Sequence, residues 1–213
     1  MIGVTIAIGP DWKEVAQLAS DRMTSFTGLK CHIVDDWHGV PYEHPSWVKC
    51  RLLDIFRNED SILYFDSDIW CMKPWKPDKI FEGCNRDFMA VPAVDNKYIQ
   101  DECKRFNLPQ GGKYITAGLL LFGREHREVF RYAESLHPRY GSWYDQTPIN
   151  VALNQGVSVT RLPMKYSAET HGGNYAACFT GEPVEQVVNF HFCSCGGDAA
   201  KVKSLQEKGP TNV

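Results

Sequence analysis

The segment ILYFDSDIW, residues 62–70, carries the densest chemistry in the chain. Four apolar residues run into Asp66-Ser67-Asp68, and Ile69 and Trp70 follow. Side chains alternate along a strand with period two, so an extended backbone through 66–68 sends both carboxylates to one side. Two charges at the edge of so apolar a stretch are costly unless they are paired or hold a metal. Paired carboxylates form a hard oxygen site suited to Mn²⁺ or Mg²⁺. Their place, at the C-terminal end of an apolar strand, is where open α/β sheets bind ligands. The bland alternative for a D-x-D is a solvated strand-to-loop corner, and the apolar flanks weigh against it.

The elements that must position this pair are legible around it. Residues 4–9 read as a strand that Gly9-Pro10 ends. A helix capped by Asp11 runs to about Phe26, with Val15, Leu18, Ala19 and Met23 on one face, and Gly28 stops it. Residues 31–35 form a second strand. His44-Pro45-Ser46 opens a helix whose apolar face is Val48, Leu52, Ile55 and Phe56. After the strand at 62–65, residues 88–94 read as a strand weakened by Pro92. Residues 115–122 form another, leading into a helix at 125–136; 146–153 is a short helix, and 157–162 and 187–192 are late strands. Alternating strands and helices imply right-handed crossovers, hence an α/β fold with a mostly parallel central sheet flanked by helices. No linker or internal repeat divides the chain, so 1–213 is expected to be one domain whose first half binds a nucleotide.

Composition sets the outer limits. The 213 residues are 43% hydrophobic and 12% aromatic, which is the make-up of a packed globule and not of a disordered chain. The net charge of −3 argues against nucleic-acid binding through a basic surface. No run approaches a membrane span, and the apolar run at 4–9 is too short for a signal-peptide core. The eight cysteines are irregularly spaced, and several lie in apolar segments, where Cys behaves as a small hydrophobe. Reduced thiols and a cytoplasmic protein are expected.

WVKCRLLDIFRNEDSILYFDSDIW, residues 47–70, resembles the core of GT-A glycosyltransferases, closest to family 8, the retaining glycogenin and galactosyltransferase group. Three later segments agree in order. ITAGLLLF (115–122) is similar to the family's Asn-x-Gly strand, with Thr116 in place of the Asn. DQTPIN (145–150) is similar to its Asp-Gln-x-x-x-Asn segment. NFHFCSCGGDAAK (189–201) is similar to its C-terminal His-containing metal motif, though Ser194 and Gly197 fall where the family's spacing differs. The resemblance covers roughly residues 1–203. It implies that Asp66, Asp68 and His191 bind Mn²⁺ or Mg²⁺, and that Asp66 also contacts the donor. It implies that Lys49, with Arg51 as rival, and Asp95 hold the nucleotide sugar, and that Lys201 or Lys203 meets its phosphates. Asp145 and Gln146 fall beside the anomeric carbon. Residues 1–95 then form the nucleotide-sugar half and 96–213 the acceptor and metal half. The implied activity is metal-dependent transfer of a hexose from a UDP-linked sugar to a saccharide or other hydroxyl acceptor, with retention favoured.

Chemistry agrees from below. A nucleoside diphosphate leaves readily only when its charge is neutralised, by a metal and by a lysine. Sugar transfer passes through an oxocarbenium-like state, which Asp145 or Gln146 would stabilise. Trp12, just after the first strand, suits stacking on a uracil; its ordinary alternative is helix packing. Other signals fail. His191, Cys193 and Cys195 lack the second pair of a structural zinc site. Gly111-Gly112-Lys113 is no P-loop. His171-Gly172-Gly173 has no accompanying nucleophile elbow; with Glu169, Trp143 and Tyr144 it suits an acceptor pocket. Glu169 is the natural place for an inverting base. Two rival readings remain: a sugar-1-phosphate nucleotidyltransferase, which needs a Gly-rich basic loop after the first strand that Gly9-Pro10-Asp11-Trp12 lacks, and a sugar- or nucleotide-binding module without turnover.

Overall fold

The computed structural model describes residues 1–41, 44–137, 145–170, 183–192 and 198–208. Among these residues, nine strands form two sheets. β1 (Ile2–Ile6), β2 (Cys31–Val34), β3 (Ser61–Phe65), β5 (Phe88–Pro92), β6 (Ile115–Gly123) and β7 (Val159–Arg161) make a sheet in the order β2-β1-β3-β6-β5-β7. Five of these strands run the same way, and β6 runs against both its neighbours, β3 and β5. The sheet is therefore mixed, parallel but for one reversed strand. β4 (Ile69–Cys71), β9 (Asn189–His191) and β8 (Ala168–Glu169) form the second sheet, in the order β4-β9-β8.

Period-two alternation divides the main sheet into two cores. From β3, Ile62 and Tyr64 face one core, which also takes Trp47, Val48, Leu52, Phe122 and Phe130. Leu63 and Phe65 face the other, with Met23, Trp75, Phe81 and Leu121. A third cluster, including Val15, Trp70, Phe190, Phe192 and Val202, seats the small sheet between α1 (Pro10–Thr27) and the C-terminal α7 (Ala199–Lys208).

Local chemistry sets the element ends. α1 begins with Pro10 in its first turn, where the missing N–H costs nothing. Asp11 lies inside that first turn, next to the positive end of the helix dipole, and Gly9 takes the cap position that Asp11 was expected to fill. Gly28 closes α1 in the left-handed region at φ 78°, with its N–H on Thr24 O. The expected helix after His44 forms as a 3-10 segment, Pro45–Arg51, followed by one α turn, α2 (Leu52–Ile55). Four consecutive side chains, Trp47 to Cys50, are buried there instead of a one-sided stripe. α5 (Arg127–Ser135) and α6 (Gln146–Leu153) pack on the same face. The remaining helices are α3 (Pro77–Gly83) and α4 (Lys97–Arg105).

Cys31, Cys50, Cys71, Cys84 and Cys103 are free thiols. Burial pushes the Cys71 thiol up to about 12. Cys178, Cys193 and Cys195 lie outside the described residues, as do Trp143, Tyr144 and the 171–173 loop. Among the described residues no helix is long and apolar enough to cross a membrane.

Candidate active site

β3 ends at Phe65, and the backbone turns at once. Ile69 N–H closes the turn on Asp66 O at 3.0 Å. The two acids are therefore brought together by a turn between β3 and β4, and not by strand alternation as the sequence suggests. The turn also carries the chain from the main sheet into the small one, where β4 pairs Ile69 with His191 of β9. His191 Nε2 lies 3.3 Å from Asp68 Oδ1 and 3.7 Å from Asp66 Oδ2. One ligand atom from each of these three residues falls within 4.8 Å of the others.

This set fits a divalent cation. Asp68 Oδ1 is buried, and among the described residues its one partner is the His191 ring 3.3 Å away, a poorly satisfied state for a carboxylate oxygen that a metal would relieve. Two carboxylates and an imidazole are ordinary donors for Mn²⁺. Burial lowers the His191 pKa, but Asp68 and Asp66 outweigh it and raise it to about 9, so the pocket already gathers positive charge. Ser167 Oγ lies 3.5 Å from His191 Nδ1.

The wall beside the acids grows from an irregularity in β6. Its register against β5 slips between Ala90, opposite Leu120, and Pro92, opposite Ile115, so β6 carries extra residues around 116–118. Side chains take up the freed backbone groups. Gln146 Oε1 accepts from Ala117 N–H at 3.0 Å, and Lys49 Nζ donates to Ala117 O at 2.8 Å. Asn150, one turn along α6, accepts from Ile115 N–H and donates to Ile115 O. The DQTPIN segment thus acts as a surrogate strand for β6.

Lys49 is only 2% exposed. Its ammonium lies 2.6 Å from Asp145 Oδ2, 3.8 Å from Asp66 Oδ1 and 4.4 Å from the centre of the Tyr64 ring. Burial depresses its pKa, but Asp145 and Asp66 more than offset that, and the net shift is upward. The Lys49 ammonium thus links Asp145 to Asp66.

These groups face a cavity of about 440 Å³ lined by Lys49, Asp66, Asp68, Asp145, Gln146 and His191 together with Ile6, Ile8, Trp12, His44 and Gly118. Trp12 lines the cavity and also packs on the third core cluster, as its helix-packing alternative expects. Arg51, the rival of Lys49, turns away to pair with Glu134 at 2.8 Å. Asp95 is exposed, accepts from Gln100 at 3.2 Å and does not line the cavity. Lys201 is exposed in the first turn of α7, and Lys203 pairs with Glu14; neither lines it. Glu169 sits opposite His191 in the β8–β9 register, off the cavity lining.

Three contributors escaped the sequence reading. The Tyr64 hydroxyl donates to Asp66 Oδ1, and burial pushes its pKa well above the usual range. Period two from Asp66 through an otherwise apolar strand was the signal that could have found it. His44 lines the cavity, with Nδ1 accepting from Ser46 N–H. The third is Gly118. A Cβ there would lie 2.5 Å from His191 Cε1 and 3.0 Å from Asp66 Oδ2, so only glycine leaves room for these ligands. Gly118→Ala is expected to displace the His191 ring and weaken Mn²⁺ binding about 10-fold or more, on the scale of outer-sphere changes at metal sites. Electron paramagnetic resonance titration of Mn²⁺ checks this.

No protein-family model matches the sequence, and no curated protein does. Solved structures match its fold. Galactosyltransferase LgtC, solved with donor and acceptor sugar analogues, aligns over 97% of this chain and 96% of its own, with a TM-score of 0.66 at 12% identity. A glycosyltransferase involved in glycosylation of the major capsid of PBCV-1 aligns over 98% and 99%, with a TM-score of 0.63 at 14% identity. Mouse xyloside xylosyltransferase 1 aligns over 92% and 98%, with a TM-score of 0.61 at 12% identity. The chain thus has the GT-A glycosyltransferase fold that its sequence resembles.

Proposed function

We propose that the protein is a divalent-metal-dependent glycosyltransferase that moves a hexose from a UDP-linked sugar to a saccharide or other hydroxyl acceptor, with retention at the anomeric carbon. One observation carries the reading: the Asp66–Asp68–His191 cluster opens into a cavity whose wall is the buried Lys49–Asp145 pair and Gln146. Asp66, Asp68 and His191 would hold Mn²⁺ or Mg²⁺, which when bound supplies Lewis-acid neutralisation of the leaving diphosphate. Lys49 adds a fixed positive charge in a dry wall, where it needs no reorganisation as charge develops. Asp145, neutralised by Lys49 in the ground state, is placed to stabilise positive charge on the sugar ring. The Ala117 N–H holds the Gln146 amide in one orientation. Trp12 offers an indole face for the base.

Retention is supported by what the cavity offers as a base. Glu169 is off its lining. His44 Nδ1 is engaged by Ser46, 2.8 Å from its Oγ and 3.3 Å from its N–H. Among the described residues that line the cavity no free carboxylate or imidazole is set out as a base, and on this proposal the acceptor proton goes to the leaving phosphate oxygen. A cytoplasmic setting belongs to the same proposal, supported by the five free thiols.

Incubation with UDP-sugars and Mn²⁺ tests the activity through release of UDP, and tight binding with no release under any acceptor would instead mean a binding module. Gln146→Ala is expected to lower kcat about 10- to 100-fold, or about 1.4 to 2.7 kcal/mol, with donor affinity little changed. Proton NMR of the first-formed product from an α-linked donor reads the stereochemistry: an α-linked product is expected, and a β-linked one overturns retention.

A further inference from the structure

The metal-bearing turn is closed by a side chain from the far end of the chain. Each backbone carbonyl of Asp66-Ser67-Asp68 has a partner. Asp66 O accepts from Ile69 N–H at 3.0 Å, and Asp68 O accepts from Phe192 N–H at 3.1 Å. Ser67 O has no backbone donor among the described residues and accepts from Gln206 Nε2 at 3.0 Å, a bond between buried groups 139 residues apart. Asp66 N–H is fixed in turn on Gly118 O at 2.8 Å. The turn is thus held by β4, β6, the segment after β9, and α7.

Gln206 is an anomaly in the helix that brings it. It is 2% exposed on the face that also buries Ala199 and Val202, where the pattern calls for an apolar residue. Its Oε1 is buried with no hydrogen-bond partner among the described residues. A side chain that buries an unmet oxygen is a poor choice for packing alone. Its amide N–H is what the turn uses. A buried carbonyl without a donor is costly, so losing Gln206 would favour a reorientation of the Ser67 peptide, which lies between the two acids.

We propose that Gln206 is a positioning residue for the metal site: through Ser67 O it fixes the orientation of the Asp66 and Asp68 carboxylates that would hold the cation. This rests on the metal reading above. Groups that orient ligands in this way are worth about 10- to 100-fold in metal affinity.

The test is Mn²⁺ affinity of the full chain by electron paramagnetic resonance, read without substrate or turnover. Gln206→Met keeps the volume and removes the donor; Gln206→Asn keeps the amide but is one methylene too short to reach Ser67 O, so one of the pair is expected to fold even if the other does not. Both should keep the native circular dichroism spectrum and bind Mn²⁺ about 10-fold or more weakly than wild type. Val202→Ala, which loosens the same helix face without touching Ser67, should bind Mn²⁺ as wild type does. Wild-type affinity in a folded Gln206 variant overturns the inference while leaving the metal site standing. Equal losses in Val202→Ala and the Gln206 variants also overturn it, since the effect would then be helix docking in general. Absence of Mn²⁺ binding by wild type overturns the metal reading and this inference with it.

Discussion

Lys49→Met is expected to lower the melting temperature by about 10 °C and to abolish turnover. The ammonium is 2% exposed and sits 2.6 Å from Asp145, itself 4% exposed. Removing one partner of a buried pair leaves the other as an uncompensated buried charge, at a cost of about 3 to 5 kcal/mol. For a domain of this size each kcal/mol moves the melting point by about 2 to 4 °C. Ala117 O loses its donor as well. The loss is not intrinsic to position 49, because it arises from Asp145. Adding Asp145→Asn should restore most of the melting temperature while leaving the enzyme inactive. Calorimetric melts of the two single variants and the double variant check this. If the double variant is as unstable as the sum of the singles, the two residues are not the coupled pair that the geometry makes them.

The second large effect separates function from stability. Asp68→Ala is expected to cost about 10³-fold or more in turnover, or about 4 kcal/mol of transition-state stabilisation, yet to lower the melting temperature much less than Lys49→Met does, because Asp66 still faces His191 at 3.7 Å. Removing Asp68 relieves a desolvated carboxylate and gives up its ion pair with His191, two effects of opposite sign. Asp66→Ala should silence turnover equally but lower stability modestly, since its carboxylate takes the Tyr64 hydroxyl and lies within 3.8 Å of Lys49. EDTA should reproduce the catalytic loss in the native protein. A melting temperature in Asp68→Ala that falls as far as in Lys49→Met would mean that the acid serves the core.

The contrast between these residues shows what a sequence can carry. Asp66 and Asp68 were legible because two charges interrupt an apolar run, and α6 because its pattern is contained within one short segment, 146–153. The means of their assembly were not. The acids meet through a turn that period-two reasoning had extended as strand, and β6 reverses direction where alternating strands and helices suggested a parallel run. Strand direction and the slip at Ala90–Pro92 are set by pairing between distant segments, which no local pattern records. β4 and β8, of three and two residues, fall below any readable period, although β4 is what sets Ile69 against His191. α3, α4 and α7 were also missed. In α7 the apolar face is interrupted by Gln206, whose role appears only once Ser67 is placed against it. Lys49 reads as one more charge on a helix, and only burial on the core face turns it into the partner of Asp145. Asp95 and Lys201, carried over by resemblance alone, lie off the cavity that gathers the rest.

The central claim is that a nucleoside diphosphate binds here through a cation held by Asp66, Asp68 and His191. Isothermal titration of UDP into the protein tests it most directly, with Mn²⁺, with EDTA, and in Asp68→Ala with Mn²⁺. The account predicts binding in the first case and none in the other two. Equal UDP affinity in the presence of EDTA, or unchanged affinity in Asp68→Ala, would contradict it.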